Sequence, residues 1–376
     1  MARARTKSPD LSLLIVVLIL SVLGILMILS ASAPTAQIEL KDSLYFFRKQ
    51  LMWGAMGAMA LVVGTWIPLE RLRSFAKPLL FLTAVMLVLT HIPGIGTTTM
   101  GASRWLRLGP IGLQPSELAK VTLILFLADV LARKPEKGWT IHDLRQVFLP
   151  TAAILGLVLF QPDLGTTLML VVGSFALLWF NGTNFFYMLA TGLTGATGLV
   201  IHSLNTPYQR DRWLAFLDPW QYPKDIGFQL IQSLLAIGSG GLFGTGWGQG
   251  KQKLFYLPIQ YADFIFAVVA EELGLLGTLT VVFLFLFFAQ RGFSIARRAL
   301  QPFQQLLVGG FTTVIVTQAL VNMGVVTASL PTTGVPLPFL SFGGTSLLVT
   351  LFSVGVILNV SQDTRFNLQL IRGKKA

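Results

Sequence analysis

The sequence contains no cysteine. That excludes disulfides, thiolate metal sites, a cysteine nucleophile and cysteine-ligated iron–sulfur clusters. Its three histidines, His91, His142 and His202, stand far apart, a poor basis for a zinc centre. Charge is scarce too: 12% of the 376 residues are Asp, Glu, Lys or Arg, where a soluble domain carries about 25%. So little charge cannot cover a water-facing surface of this size. This excludes an ordinary cytosolic enzyme and any long disordered region. What remains is apolar, with 53% hydrophobic residues and a mean hydropathy of +0.70, and points to a polytopic membrane protein. The net charge of +12 would suggest nucleic acid in a soluble protein. In a membrane protein it reflects Lys and Arg gathered in cytoplasmic loops, so no nucleic-acid partner is expected.

A membrane helix needs about 20 mostly apolar residues. Ten stretches qualify, at about 11–32, 46–67, 77–94, 115–133, 147–161, 164–181, 184–203, 262–290, 303–327 and 340–361. The expected fold is all-α, one transmembrane domain over 1–376. The first stretch is too long for a signal-peptide core and reads as a retained span. The fifth and sixth are short and meet at Gln161-Pro162-Asp163-Leu164-Gly165, a tight reversal. An even count puts both termini on one side. With the N-terminus inside, the inside segments and the basic tail at about 363–376 hold 17 of the 28 Lys and Arg, so both termini are expected in the cytoplasm. Two long connections then face outwards, about 95–114 and, between helices 7 and 8, about 204–261. Long loops on a packed scaffold tend to carry function. Within the second, Gly227–Ile237 predicts a short helix lying at the outer surface, with Gln229, Gln232 and Ser233 on one face. Upstream, Arg210, Arg212, Trp213, Trp220 and Tyr222 suit an interfacial position.

With these absences, chemistry must come from Asp, Glu, Lys, Arg, Ser or Tyr. There are 16 acidic residues, and six lie within or at the edge of apolar spans: Glu117, Asp129, Asp163, Asp263, Glu271 and Glu272. An acidic residue at mid-span costs about 3 kcal/mol on insertion scales, so such residues are paired, water-facing or functional. Asp263 stands where the longest outer loop becomes a helix. It can cap that helix, or it can sit at the mouth of a cavity as general base or cation ligand. In the second role it is a candidate ligand for Mg2+ or Mn2+. Glu271 and Glu272 follow two turns later, about 12–14 Å deeper on a straight helix, and read as buried structural pairs with Lys or backbone donors. Gln114-Pro115-Ser116-Glu117-Leu118-Ala119-Lys120 opens the fourth span, with Ser116 as a cap and Glu117 paired to Lys120. Lys120 can also grip a phosphate, as can Arg104 on the same side. Asp163 suits an Asx turn. Asp129 is expected to pair with Arg133.

The run Gly238–Gly250 fails as a phosphate loop, because Thr245 and Gln252 stand where Gly and Ser or Thr are needed. It reads as a flexible turn. The Asn181–Thr183 sequon falls in an inside turn and is discarded.

Several runs together resemble the SEDS family (shape, elongation, division and sporulation). They are Gly101-Ala102-Ser103-Arg104-Trp105, Gln114–Lys120, Gln161–Thr166, Asp263–Phe266 with Ala270–Gly274, Asn322-Met323-Gly324, and Leu330–Gly344. The resemblance spans the chain in order. It implies a ten-helix peptidoglycan glycosyltransferase that polymerises lipid II outside the bacterial plasma membrane. It implies Asp263 as the essential aspartate and Arg104, Glu117, Lys120 and Asp163 as substrate-binding positions. It also implies a class B penicillin-binding transpeptidase and other divisome membrane proteins as partners. One departure stands out. Many members have Glu-x-His-Thr-Asp, whereas this chain has Ile259-Gln260-Tyr261-Ala262-Asp263, with no His or Thr hydroxyl to orient the carboxylate. Gln252–Pro258 and Leu330–Gly334 look more like the division branch, FtsW, than the elongation branch, RodA. Two rival readings are a flippase for the lipid-linked precursor and a scaffold without catalysis. A flippase needs polar groups at mid-depth and at the cytoplasmic end, where Asp129, Glu271 and Glu272 are the acidic candidates.

Overall fold

The computed structural model describes residues 8–99, 102–109, 111–133, 141–183, scattered positions between 185 and 200, 206–224, 226–254 and 260–373. The expected seventh span at 184–203 and the last residues of the basic tail therefore lie largely outside the described residues. So do residues 255–259 just upstream of Asp263.

Among the described residues, the regular structure is helical apart from one small sheet. Helices α1 (Leu11–Leu40), α2 (Tyr45–Trp66), α3 (Leu69–Ser74) and α4 (Ala76–Leu89) come first. Helices α5 (Pro115–Leu131), α6 (Ile141–Phe160) and α7 (Leu164–Phe180) follow the sheet. Then come α8 (Pro207–Leu217), α9 (Phe228–Gly240), α10 (Ile265–Arg298), α11 (Pro302–Val326) and α12 (Gly344–Gly373). Four of these, α1, α10, α11 and α12, are long and apolar enough to cross a membrane.

Helix α1 runs about two turns past the expected end at 32. Pro34 inside it removes only one backbone donor, and the chain stops at Lys41, which turns left-handed at φ 57°. Helix α2 lies along α12 through small residues. A Cβ on Gly57 would meet Leu351, and one on Gly64 would meet the Phe352 carbonyl. Close backbone approach through small residues is how apolar helices associate without a hydrophobic driving force between them.

The connection at 95–114 is not a plain loop. It forms an antiparallel sheet of β1 (Gly96–Thr99), β2 (Ala102–Leu108) and β3 (Ile111–Leu113), with Leu106 paired to Gly96 on one side and to Leu113 on the other. β-branched Thr97, Thr98 and Thr99 favour the first strand, and Gly109 at φ 66° makes the second turn. Gly112 leaves room for the Trp105 ring.

Helix α9 begins as expected but does not lie free on the surface. Ser233, expected on a polar face, is fully buried and donates to the Val326 carbonyl at 2.7 Å. Gly240 sits so close to α10 that a Cβ there would overlap the Ala270 carbonyl.

Helix α10 is broken. Gly274 is left-handed and extended, at φ 67° and ψ −163°. The break frees carbonyls on one side and N–H groups on the other, and the glycine run satisfies both sets. Thr245 and Gly246 N–H donate to the Glu271 and Glu272 carbonyls at 2.9 and 3.1 Å. Leu275 and Leu276 N–H donate to the Gly241 and Leu242 carbonyls at 2.9 and 3.2 Å. The run expected to be a flexible turn is thus a packed splice, while the turns from Ile265 to Leu273 that carry Glu271 and Glu272 stay helical.

Candidate active site

Asp263 lies two residues before the start of α10, and its backbone is held from two sides. The Asn322 side-chain amide on α11 donates to the Asp263 carbonyl and to the Val335 carbonyl, each at 2.8 Å. Two residues upstream, the Tyr261 carbonyl accepts from Phe342 N–H at 2.9 Å. The Tyr261 ring packs on Phe46 at 4.4 Å between centroids and on Phe342 at 5.8 Å. Gln260 donates to the Ala31 carbonyl on α1 at 3.0 Å. The segment before the aspartate, Gln260 to Ala262, is thus fixed by aromatic packing and an amide.

The Asp263 side chain is half-buried and lines a small cleft with Arg212, Gln229, Asn322, Thr332, Gly334 and Val335. The cleft has about 20 Å³ of free space, room for one water. Asp263 does not act as a side-chain cap of α10, since the residue flanking the helix is Phe264 and no side chain caps it. Arg212, on α8, donates to the Thr332 carbonyl at 3.0 Å. Gly334, at φ 70°, lies beside both the carboxylate and the guanidinium. A Cβ built there lies 3.6 Å from Asp263 Oδ2 and 3.8 and 4.0 Å from the two terminal nitrogens of Arg212.

Arg104 comes from β2. Its guanidinium donates to the carbonyls of Gln161, at 3.1 Å, and Pro162, at the α6–α7 reversal. Asp163 ends that reversal and caps α7. It accepts from Thr166 N–H at 3.1 Å, Thr166 Oγ1 at 2.9 Å and Ser116 Oγ at 3.1 Å. Ser116 therefore does not cap α5, as expected from sequence; it joins α5 to the reversal. Burial raises the Asp263 pKa above the ordinary carboxylate range, Arg212 and Arg104 pull it back, and Asp163 pushes it further up. Asp263 thus has Arg212, Arg104 and Asp163 within electrostatic reach.

Glu117 and Lys120 lie one layer down. Lys120 Nζ sits 2.8 Å from Glu117 Oε2 and donates to Gln318 Oε1 at 2.6 Å, and both charged residues are buried. Gln318 is one turn from Asn322 on α11, which sets this layer about 6 Å beneath the Asp263 backbone. The Lys120 ammonium is occupied by protein oxygens in this structure. Asp129 pairs with Arg133 as expected, and also with Arg73 at 2.6 Å.

The donor set does not fit a resident Mg2+ or Mn2+. Asp263 faces two guanidinium groups, the oxygens of its acidic neighbour Asp163 accept from Thr166 and Ser116, and no group of three His, Asp or Glu gathers among the described residues. Such ions need several oxygen ligands.

Residues 10–366 match the family described as cell cycle protein, which covers FtsW, RodA and SpoVE. The chain belongs to this family, the SEDS proteins. Among SEDS relatives it is 41% identical to the "Probable peptidoglycan glycosyltransferase FtsW" of Trichlorobacter lovleyi, over 99% of this chain and 97% of that one. It is 39% identical to stage V sporulation protein E of Bacillus subtilis, over 96% and 99%. Its fold is similar to a chain of a solved peptidoglycan synthase complex, with a TM-score of 0.77 at 31% identity, covering 95% and 98%. It is also similar to the rod shape determining protein RodA of Thermus thermophilus, with a TM-score of 0.72 at 28% identity, covering 95% and 98%. As a SEDS protein with these apolar helices, it is a multi-pass membrane protein.

Of the residues singled out in the sequence, Asp263, Arg104 and Asp163 come within electrostatic reach in the fold, and Arg212, read there as interfacial, joins them. Its place in the long connection that ends just before Asp263 is its one hint of a role, and the sequence reads it as interfacial. Asn322 and Gly334 were legible as motif letters, without their task.

Proposed function

We propose that this protein is a peptidoglycan glycosyltransferase of the FtsW kind, polymerising lipid II into glycan strands at the outer face of the bacterial plasma membrane. The observation that carries this reading is a carboxylate, Asp263, held at the mouth of a cleft beside Arg212 and within reach of Arg104.

In the reaction, the 4-hydroxyl of the acceptor sugar attacks the anomeric carbon of the lipid-linked donor. The new C–O bond forms as the bond to the lipid pyrophosphate breaks. An α-linked donor giving a β-linked glycan requires one inversion, so one base and no covalent nucleophile suffice. Asp263 takes the hydroxyl proton. A raised pKa brings a carboxylate towards the working pH, where a base is most effective, and one well-placed base contributes about 10²–10⁴-fold. The negative charge on the leaving pyrophosphate needs cations, and Arg212 and Arg104 supply them in a partly dehydrated site. Glu117 and Lys120 support the pocket from beneath, through Gln318, and Asp163 fixes the reversal against which Arg104 is set. The lipid chains lie against apolar helix flanks. The partners that go with this reading are a class B penicillin-binding transpeptidase, which crosslinks the strand, and other membrane proteins of the divisome.

The test is polymer formation from lipid II by the purified protein, alone and with its transpeptidase partner. Asp263→Ala should abolish polymer while the protein still purifies as a folded monodisperse species. Polymerisation by that variant at the parent rate would reject Asp263 as the base.

A further inference from the structure

The glycine run and the residues after it are tied down by a buried charge cluster that the reaction above does not use. Lys253 Nζ lies 2.8 Å from Glu272 Oε1 and donates to Ser30 Oγ at 2.9 Å. Ser30 Oγ in turn donates to Glu272 at 2.7 Å, and Gly248 N–H donates to the same carboxylate at 2.9 Å. Ser30, Lys253 and Glu272 are all at least nine-tenths buried. Next to them, Glu271 accepts from Lys251 N–H at 2.6 Å and Gln252 N–H at 3.2 Å. One link then leads to the site. The Gln260 amide donates to the Lys253 carbonyl at 3.3 Å as well as to Ala31, and Gln260 is followed by Tyr261 and Asp263.

A buried ion pair is weak evidence for stability, because desolvation offsets most of the attraction. Apolar residues of similar size would hold α1 against α10 about as well. Directional bonds do something apolar packing does not: they fix the register of the strap formed by Gln260 to Asp263. We propose that Lys253, Glu272 and Gln260 are positioning residues for Asp263, an ion pair and an amide that set where its carboxylate stands in the cleft. This rests on the glycosyltransferase reading, since it is the base of that reaction that they place.

The absence of cysteine in the natural chain makes a direct test available. Ala262→Cys introduces a single thiol beside Asp263, and its rate of maleimide labelling in the full-length membrane protein reports how firmly the strap is held. Lys253→Met and Gln260→Ala, each in that background, should raise the labelling rate by about tenfold through local opening. Without the thiol, the same two variants should lower kcat for lipid II polymerisation by about 10²-fold, with KM little changed, as expected when a reacting group is displaced by about 1 Å. The double variant should be no worse than the poorer single, because both cut one line of support. Gln260→Ala leaves no buried charge alone, so it decides the matter if Lys253→Met fails to fold. Unchanged labelling in both variants overturns the clamp. Raised labelling with unchanged kcat overturns its positioning role. A parent protein that makes no polymer sinks the enzymatic reading and the positioning role with it, while the labelling rates still decide the clamp itself.

Discussion

Gly334→Ala separates chemistry from folding at this site. The added methyl would lie 3.6 Å from Asp263 Oδ2 and no closer than 3.8 Å to Arg212, ordinary contact distances, so no neighbour is forced to move. The steric cost is confined to the backbone. Gly334 sits at φ 70°, where a Cβ costs about 1–2 kcal/mol. A polytopic protein with an extensive buried core tolerates that, and thermal unfolding should shift by only a few degrees. The methyl nevertheless enters the wedge between base and guanidinium, in a cleft with about 20 Å³ of free space. It takes the volume that the acceptor hydroxyl or its preceding water needs. Polymerisation should fall by about 10²-fold, the scale of a lost base or a misplaced reacting group. The assay is initial-rate polymer formation from lipid II, read beside a thermal unfolding curve on the same preparation. A Gly334→Ala protein with parental polymerisation would refute the placement of the reacting atoms between Asp263 and Arg212. A protein that fails to fold would refute the contact geometry.

Three further outcomes are expected. Activity should rise with pH as Asp263 loses its proton, along a limb above the ordinary carboxylate range. Arg212→Gln should move that limb to higher pH, because the guanidinium favours the ionised form, and Asp163→Asn should move it to lower pH, because that neighbouring charge disfavours it. The pH–rate profiles of the three proteins check both signs. Ala328, left-handed at φ 54°, should gain about 1 kcal/mol on replacement by Gly, seen as a raised unfolding temperature. Gly274→Ala should prevent recovery of folded protein, since a Cβ there would lie 2.3 Å from Gly244 N and 2.7 Å from the Leu242 carbonyl. Size-exclusion profiles of the detergent-solubilised protein report that loss.

Membrane residence and the helical class followed from composition, because a chain with 12% charge and repeated apolar runs of about 20 residues has no other way to satisfy its backbone. Asp263 was legible for a related reason: a carboxylate at the edge of an apolar span is costly, so its persistence marks a use. The pairing of Asp129 with Arg133 was legible as well, since four residues along a helix bring two side chains together whatever the rest of the fold does. Other features depended on contacts between residues far apart in sequence, which no local pattern encodes. Ser116 fits a helix cap in its own segment, yet its hydroxyl goes to Asp163, 47 residues away. Thr97 to Thr99 form a strand only because Trp105 and its neighbours return alongside. The glycine run looked flexible because glycine permits many conformations, and α10 selects one by presenting the broken ends at Gly274. Arg212 reads as an interfacial arginine until the fold sets it in one cleft with Asp263 and Gly334, the latter 122 positions later. Sequence alone determined the solvent this protein lives in and singled out a carboxylate at the edge of a span. Tertiary structure decided which cation stands beside that carboxylate, because the partner is chosen by a close approach between separate elements and not by spacing along the chain.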